Sequence, residues 1–307
     1  MWLKMLNTLF IMVLNESWNG HVLYYLSYKS MNRSSLIGFV LFLSFIIQFI
    51  SGLLSSCYYN DFYDIAFNSV CHIILDVSIG WFMRVLHIIG ASLFMFFLLL
   101  HYVRGYYRII SINSGYSLIS YCIGLIIFIL PLLTGFLGYI LNWGQMSFWG
   151  MTVIIPILNT LPVIGDYISI IIWPSYTLGI SRLFTIHFLI GFVMIFIIFI
   201  HIFILHAFSS SNPFLNNSSS ILLPFYCYFF KDVLYMAYWI IVLAYFLFWE
   251  PDYLGNVDNN IAADPFTTPH NILPEWYFLL FYCSSRSFPN KNIGVIIVIL
   301  LFLLLFI

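Results

Sequence analysis

The chain has 307 residues, of which 63% are hydrophobic and only 7% charged, with ten Lys/Arg against eleven Asp/Glu. An ordinary soluble domain carries about 25% charged residues. The composition therefore excludes a soluble enzyme, a disordered chain and a nucleic-acid binder, which would need a basic face. Residues 34–60, 85–103, 109–165, 183–230, 233–249 and 292–307 contain no Asp, Glu, Lys or Arg. A bilayer-spanning helix needs about 20 mostly apolar residues, so these runs predict an all-α, polytopic transmembrane helical bundle.

In chain order, residues 1–33 mix apolar and polar groups and read as an amphipathic segment at the membrane surface. No small-residue cleavage site follows the first fifteen residues, so no signal peptide is expected. A first span is predicted from Leu36 to Tyr58, followed by a polar connection holding Asp61, Asp64 and Asp76. The second runs from Gly80 to Tyr106 and the third from Tyr116 to Leu141. Asn142, Gly144, Pro156 and Pro162 then break the apolar run into short interfacial helices at about 143–170. The fourth span covers Arg182 to Phe208 and closes a four-helix bundle over 34–208. A loop is expected at 209–230. The C-terminal portion, 231–307, then holds a fifth span that follows Lys231 and Asp232 and ends near Glu250, a long polar connection over 250–292 and a sixth apolar segment from Ile293. With the amino terminus inside, the inner loops hold Lys4, Lys29, Arg33, Arg104, Arg108 and Lys231, and the outer side holds Arg84, Arg182, Arg286 and Lys291. That asymmetry favours an amino terminus inside.

Cys57, Cys71, Cys122, Cys227 and Cys283 show no CxxC spacing and no CxxCH, which argues against a zinc ribbon and a covalently attached haem. The histidines carry more information. His87 and His101 fall in the second predicted span, His187 and His201 in the fourth, and both pairs are fourteen residues apart. Fourteen helical residues rise about 21 Å and return to within about 40° of the same face. Two such helices facing each other present two levels, each with two opposed imidazoles, as a six-coordinate planar metal macrocycle requires. With both axial positions filled there is no site for dioxygen, and the metal passes electrons only. A lone membrane histidine more often bonds to a neighbour or lines a proton path, but four unrelated histidines have no reason to share one interval.

Glycines repeat that interval. Gly38 and Gly52 lie fourteen apart in the first span, and Gly124 and Gly138 fourteen apart in the third. Glycine lets neighbouring groups approach closely, so each is predicted to make room for a flat ring, although helix–helix packing through small residues is the plain alternative. Arg84, Arg104 and Arg182 lie near His87, His101 and His187 in sequence. They suit either propionate pairing or interfacial anchoring.

On Arg84–Ser92 (RVLHIIGAS), Gly138–Gly150 (GYILNWGQMSFWG), His187 to His206 and Pro274–Tyr277 (PEWY), the chain resembles the mitochondrial cytochrome b family, the membrane core of ubiquinol–cytochrome c reductase (respiratory complex III). The resemblance covers about residues 30–307 and implies two non-covalent b-type haems. His87 and His187 would ligate the outer, low-potential haem, and His101 and His201 the inner, high-potential one. It implies ubiquinol oxidation at an outer site, where Glu275 matches the proton-accepting carboxylate and Tyr139, Gly150 and Tyr282 match pocket residues. A quinone would be reduced at an inner site matched by His206 and Asp232, with Lys231 beside them. One quinol electron would pass to an iron–sulfur (Rieske) partner and the other through both haems to quinone, building a proton gradient. Cytochrome c1, other complex III subunits, a dimeric assembly and the mitochondrial inner membrane are implied as well.

The chain departs from the family at several points. Asn142 stands where a Pro usually precedes Trp143, a Pro usual near Gly191 is absent, and Phe39 replaces a serine of the inner site. The family normally continues for two further helices, so a separate chain supplying them is one expectation. Two rivals remain. Another transmembrane di-haem reductase would need a nucleotide-binding domain and has no use for PEWY. A proton-coupled transporter with a histidine relay would need broken inverted helix pairs, which the sequence lacks.

Overall fold

The structure, a computed structural model, describes residues 26–28, 36–111, 115–161, 163, 165–173, 175–207, 222–224 and 226–305. Its helices are α1 (Ile37–Ser56), α2 (Ala66–Leu75), α3 (Gly80–Ser111), α4 (Gly115–Leu141), α5 (Gln145–Asn159), α6 (Gly165–Ile172), α7 (Tyr176–Ala207), α8 (Tyr226–Trp249), α9 (Leu279–Arg286) and α10 (Lys291–Leu304). Two three-residue strands, β1 (Leu26–Tyr28) and β2 (Leu222–Pro224), pair antiparallel with Ser27 opposite Leu223. The rest of the predicted amphipathic segment, residue 208 at the end of the fourth predicted span, and residues 209–221 and 225 of the predicted loop lie outside the described residues.

Among the described residues five helices are long and apolar enough to cross a membrane: Ile37–Ser56, Gly80–Ile109, Leu118–Leu141, Leu178–Leu205 and Lys231–Trp249. In a bilayer every backbone group must be satisfied internally, which the helical ladder does apart from the bond that Pro131 of α4, having no N–H, cannot make. Several helices extend beyond the expected spans. α7 starts at Tyr176 and α8 at Tyr226, so Lys231 and Asp232 lie inside a helix rather than ahead of it. The sequence reading missed α2, which occupies the connection after the first span. Its buried residues Ala66, Ser69, Val70 and Ile73 follow the i, i+3, i+4, i+7 pattern of an amphipathic helix. Ser69 Oγ accepts from the Asn60 amide at 3.1 Å, tying the helix to the turn before it.

The chain forms two compact units. One takes its described residues from Met1–Leu43, Phe97–Phe128 and Met194–Val242, the other from Ser44–Phe96, Ile129–Val193 and Leu243–Ile307. The second unit holds an apolar core of Ala66, Leu137, Ile140, Leu141, Trp143, Phe148, Met151, Ile180 and Leu183. Trp143 sits at its centre with a positive φ of 52°. A non-glycine residue there costs about 1–3 kcal/mol and persists only where its surroundings over-determine it. Here they do: the indole stacks on Trp173 at 5.7 Å and meets Tyr63 and Phe148 edge-on at 5.4 and 5.8 Å.

The long polar connection is pinned to the start of α5. Gln145 N–H donates to Ile261 O at 2.9 Å and Ala263 N–H to Trp143 O at 3.2 Å. Buried Asn259 accepts, through Oδ1, from both the amide and the hydroxyl of Ser147, each at 2.9 Å. Further along, Phe281 stacks on Phe302 with centroids 4.5 Å apart and joins α9 to α10. The backbone of Gly294 lies directly against the Ser285 carbonyl, so an added Cβ would collide with it.

Overpacking against backbone costs about 1–3 kcal/mol. Gly294→Ala is expected to open the α9–α10 crossing and lower the thermal midpoint of the detergent-solubilised protein. Gly105→Ala, where the added carbon meets only Tyr121 at 3.8 Å, is expected to leave that midpoint unmoved in the same calorimetric scan.

Candidate functional site

The four histidines come together as two pairs, one in each unit. In the second unit His87 of α3 faces His187 of α7 with ring centroids 6.3 Å apart and planes at 72°. In the first unit His101 of α3 faces His201 of α7 at 6.4 Å and 74°. Half of either separation is about 3.2 Å, close to a metal–nitrogen bond of about 2.0 Å plus the roughly 1.1 Å from ring nitrogen to ring centre. Each pair therefore has the spacing for one metal between two imidazoles. Among the described residues no group of three or more His, Cys, Asp or Glu could hold a metal. A six-coordinate ion between either pair needs its other four ligands from a macrocycle, so the side chains present fit an axially ligated haem.

The glycines repeat the arrangement from behind. A Cβ added at Gly52 would stand 2.8 Å from His87 Cε1, and one at Gly138 2.6 Å from His187 Cε1. At Gly38 and Gly124 the corresponding distances to His101 and His201 are 3.4 and 3.3 Å. These glycines thus lie against the imidazole edges as well as at the level where the sequence predicts a flat ring. Gly191 faces Phe49 at 3.8 Å, and no atom lies within 4 Å of the Cβ position at Gly150.

His187 Nδ1 lies 2.9 Å from the Thr134 carbonyl, which can only accept, so Nδ1 carries the proton and Nε2 presents a lone pair. His87 Nδ1 lies 3.0 Å from Ser51 Oγ, which also meets the Ile47 and Gln48 carbonyls at 2.7 and 3.2 Å. His101 and His201 differ: neither Nδ1 has a hydrogen-bond partner among the described residues. The Ser120 carbonyl lies near His201 but does not reach Nδ1 with hydrogen-bond geometry.

The arginines divide. Arg84 Nη2 donates to Asn142 Oδ1 at 2.7 Å. Arg182 is exposed and donates through Nη1 to the carbonyls of Ile170 and Ile171, at 3.1 and 2.7 Å. These lie at the end of α6, where a guanidinium is favourable to the helix dipole. Of the two roles open to Arg182, its contacts fit anchoring. Arg104 is half-buried three residues beyond His101.

The PEWY segment belongs to the second unit. Glu275 precedes a 3₁₀ turn at Trp276–Phe278. Burial pushes its carboxyl up to about 7, opposed by the neighbouring Tyr139 hydroxyl, which favours the charged form. That hydroxyl is buried and has no partner of hydrogen-bond geometry among the described residues. Tyr277 is pushed up too, first by burial and then by the charge of Glu275. Tyr282 donates to the Ile272 carbonyl at 3.3 Å. In the first unit Asp232 is 2% exposed, and its Oδ1 is unpartnered among the described residues. Lys231 is exposed on the same helix. His206 lies in α7, with its side chain outside the described residues.

A family model described as Cytochrome b/b6/petB matches residues 22–209, and one described as Cytochrome b(C-terminal)/b6/petD matches 262–307. The chain is 39% identical to cytochrome b of Arabidopsis thaliana over 264 residues, covering 85% of this chain and 67% of that one. It is 39% identical to cytochrome b of Phytophthora megasperma over 282 residues, covering 91% and 73%. Cytochrome b of Rickettsia prowazekii is 37% identical over 294 residues, covering 92% and 73%. A solved chain of a hyperthermophilic respiratory complex III superposes with a TM-score of 0.85 at 28% identity, covering 92% of this chain and 76% of that one.

The environment of Glu275 sets its titration. A carboxyl raised by burial is neutral below its midpoint and charged above it. The protonated-carboxyl infrared band of Glu275 is expected to bleach with a midpoint near pH 7 and to be absent from Glu275→Gln. Tyr139→Phe removes the group that favours the charge and is expected to move the midpoint upward.

Proposed function

The chain belongs to the cytochrome b family, the haem-binding membrane subunit of quinol:cytochrome c oxidoreductase, and from that premise we propose that it holds two b-type haems and works on quinones at two separate sites. The observation that carries this reading is the pair of facing imidazole sets, at 6.3 and 6.4 Å. When bound, haem would supply reversible one-electron chemistry. His87 with His187, and His101 with His201, would hold it. The Nδ1 contacts of His87 with Ser51 and of His187 with the Thr134 carbonyl hold each imidazole in its orientation. Arg84 and Arg104 offer guanidinium donors to propionates, which are costly to leave unpaired where water is scarce.

At the outer site Glu275 is the proton acceptor for ubiquinol. A carboxyl with its midpoint near 7 is matched to neutral pH, because it is available as a base and returns the proton readily. Tyr139 and Tyr282 border the same pocket, with Gly150 leaving open space. At the inner site the buried Asp232 supplies a proton toward a quinone carbonyl, with His206 and Lys231 as further donors. A quinol releases two electrons and two protons. One electron leaves to an iron–sulfur partner and the other reduces quinone across the bilayer, so charge and protons are moved between the two faces.

Similarity to a complex III chain supports association with other subunits of such an assembly, and we assign a Rieske protein and cytochrome c1 among them. The relatives include a bacterial protein. Five helices long and apolar enough to cross a membrane support a multi-pass membrane location for this chain, and the mitochondrial inner membrane is the location proposed here.

A reduced-minus-oxidised spectrum of the isolated complex tests the reading. Two b-type bands and inhibitor-sensitive quinol:cytochrome c activity are expected, and a colourless preparation overturns it. Gly138→Ala, which drives a carbon against His187 at 2.6 Å, is expected to lose one haem. Gly38→Ala, with 3.4 Å to His101, is expected to retain both. Pyridine haemochrome titration counts them.

A further inference from the structure

Asn142 stands at the turn between α4 and α5, and its amide is used at both ends. Oδ1 accepts from Arg84 Nη2 at 2.7 Å, and Nδ2 donates to the Asn259 main-chain carbonyl at 2.6 Å. The orientation of this amide has no alternative. A guanidinium only donates and a carbonyl only accepts, so a flipped amide would lose both bonds. Asn259 is itself fixed, because it is buried and its own Oδ1 holds the Ser147 amide and hydroxyl. Gly144 packs so closely on Asn259 that a Cβ would overlap its carbonyl. One amide therefore joins a cation on α3, three residues before His87, to the turn at Val257–Asn260. A proline could make neither bond, since it has no side-chain donor or acceptor.

We propose that Asn142 is a positioning residue: it sets the Arg84 guanidinium beside the His87–His187 site and locks that charge to the 257–262 segment. The inference rests on the haem reading above. Only one of the five guanidinium N–H groups is engaged by Asn142, so the remainder stay oriented for an acidic group on the cofactor. A fixed positive charge at the edge of a redox centre favours the reduced form, which carries one positive charge fewer. Releasing or neutralising Arg84 therefore disfavours reduction at that site and leaves the His101–His201 site unchanged.

The test uses the intact complex carrying Asn142→Leu, Asn142→Asp or Asn142→Gln, with both haems titrated potentiometrically. Asn142→Leu removes both bonds, and Asn142→Asp adds a charge that neutralises Arg84 and can no longer donate to Asn259. Each is expected to lower the reduction equilibrium of the outer haem about tenfold, which is about 59 mV for one electron, with the inner haem unmoved. Asn142→Gln keeps an acceptor and a donor and is expected to recover most of the shift. In a second arm, amide hydrogen exchange over 257–262 is expected to quicken in Asn142→Leu, a readout that needs no haem. An unmoved outer potential in a haem-replete Asn142→Leu complex, or equal shifts of both haems, overturns the proposal. Unchanged exchange over 257–262 overturns the lock. A parent complex without haem bands instead overturns the reading on which the proposal rests.

Discussion

A ring can be held edge-on between two helices only if the helix behind it brings its backbone to van der Waals distance. That constraint organises this protein. Each of the four paired imidazoles lies against a glycine of α1 or α4, where even a methyl group would stand between 2.6 and 3.4 Å away. Interhelical contact in a bilayer gains little from hydrophobic transfer, because lipid is as apolar as the side chains it replaces. Close packing and buried hydrogen bonds carry that association instead. The glycines therefore hold the helices together and aim the imidazoles with the same contacts. At Gly52 and Gly138, where that distance falls below 3 Å, even alanine would act on fold and site at once.

The polar chemistry is concentrated where the long connection meets the turn after α4. There the chain accepts a strained Trp143 and a close Gly144, and secures both with backbone bonds to 261–263. Glu275 lies further along the same connection, half-buried beside Tyr139 and Tyr277. A carboxyl that gains and loses a proton needs surroundings dry enough to raise its midpoint, yet stable through the change of charge. Tyrosine hydroxyls meet both needs, since they can donate to the charged form and accept from the neutral one.

The spans were legible because their signal is composition over about 20 residues, which needs no partner to be read. The paired histidines were legible because a fourteen-residue interval fixes both height and face on any helix. What escaped is what depends on partners distant in sequence. α2 lay in a segment marked polar by Asp61, Asp64 and Asp76, although its four buried positions carry a helical period. Arg182 offered no sequence sign of its use at the end of α6, because carbonyl groups of a preceding turn are invisible in a residue string. The glycines were found by interval, while their close approach to the imidazole edges depends on neighbouring helices and could not be read from one segment. Asn142 was visible as a departure from the family, while the bridge it makes to residue 259 depends on a contact 117 positions away.

The unequal surroundings of the two histidine pairs carry a consequence for electron affinity. An imidazole whose far nitrogen gives its proton to an oxygen gains anionic character and becomes the stronger base toward a metal. His187 has such a partner in a carbonyl and His87 a weaker one in a hydroxyl, while neither His101 nor His201 has one among the described residues. Stronger σ-donation favours the ferric state. Where both pairs hold haem, as proposed above, that difference rests on the placement of one serine and one peptide oxygen.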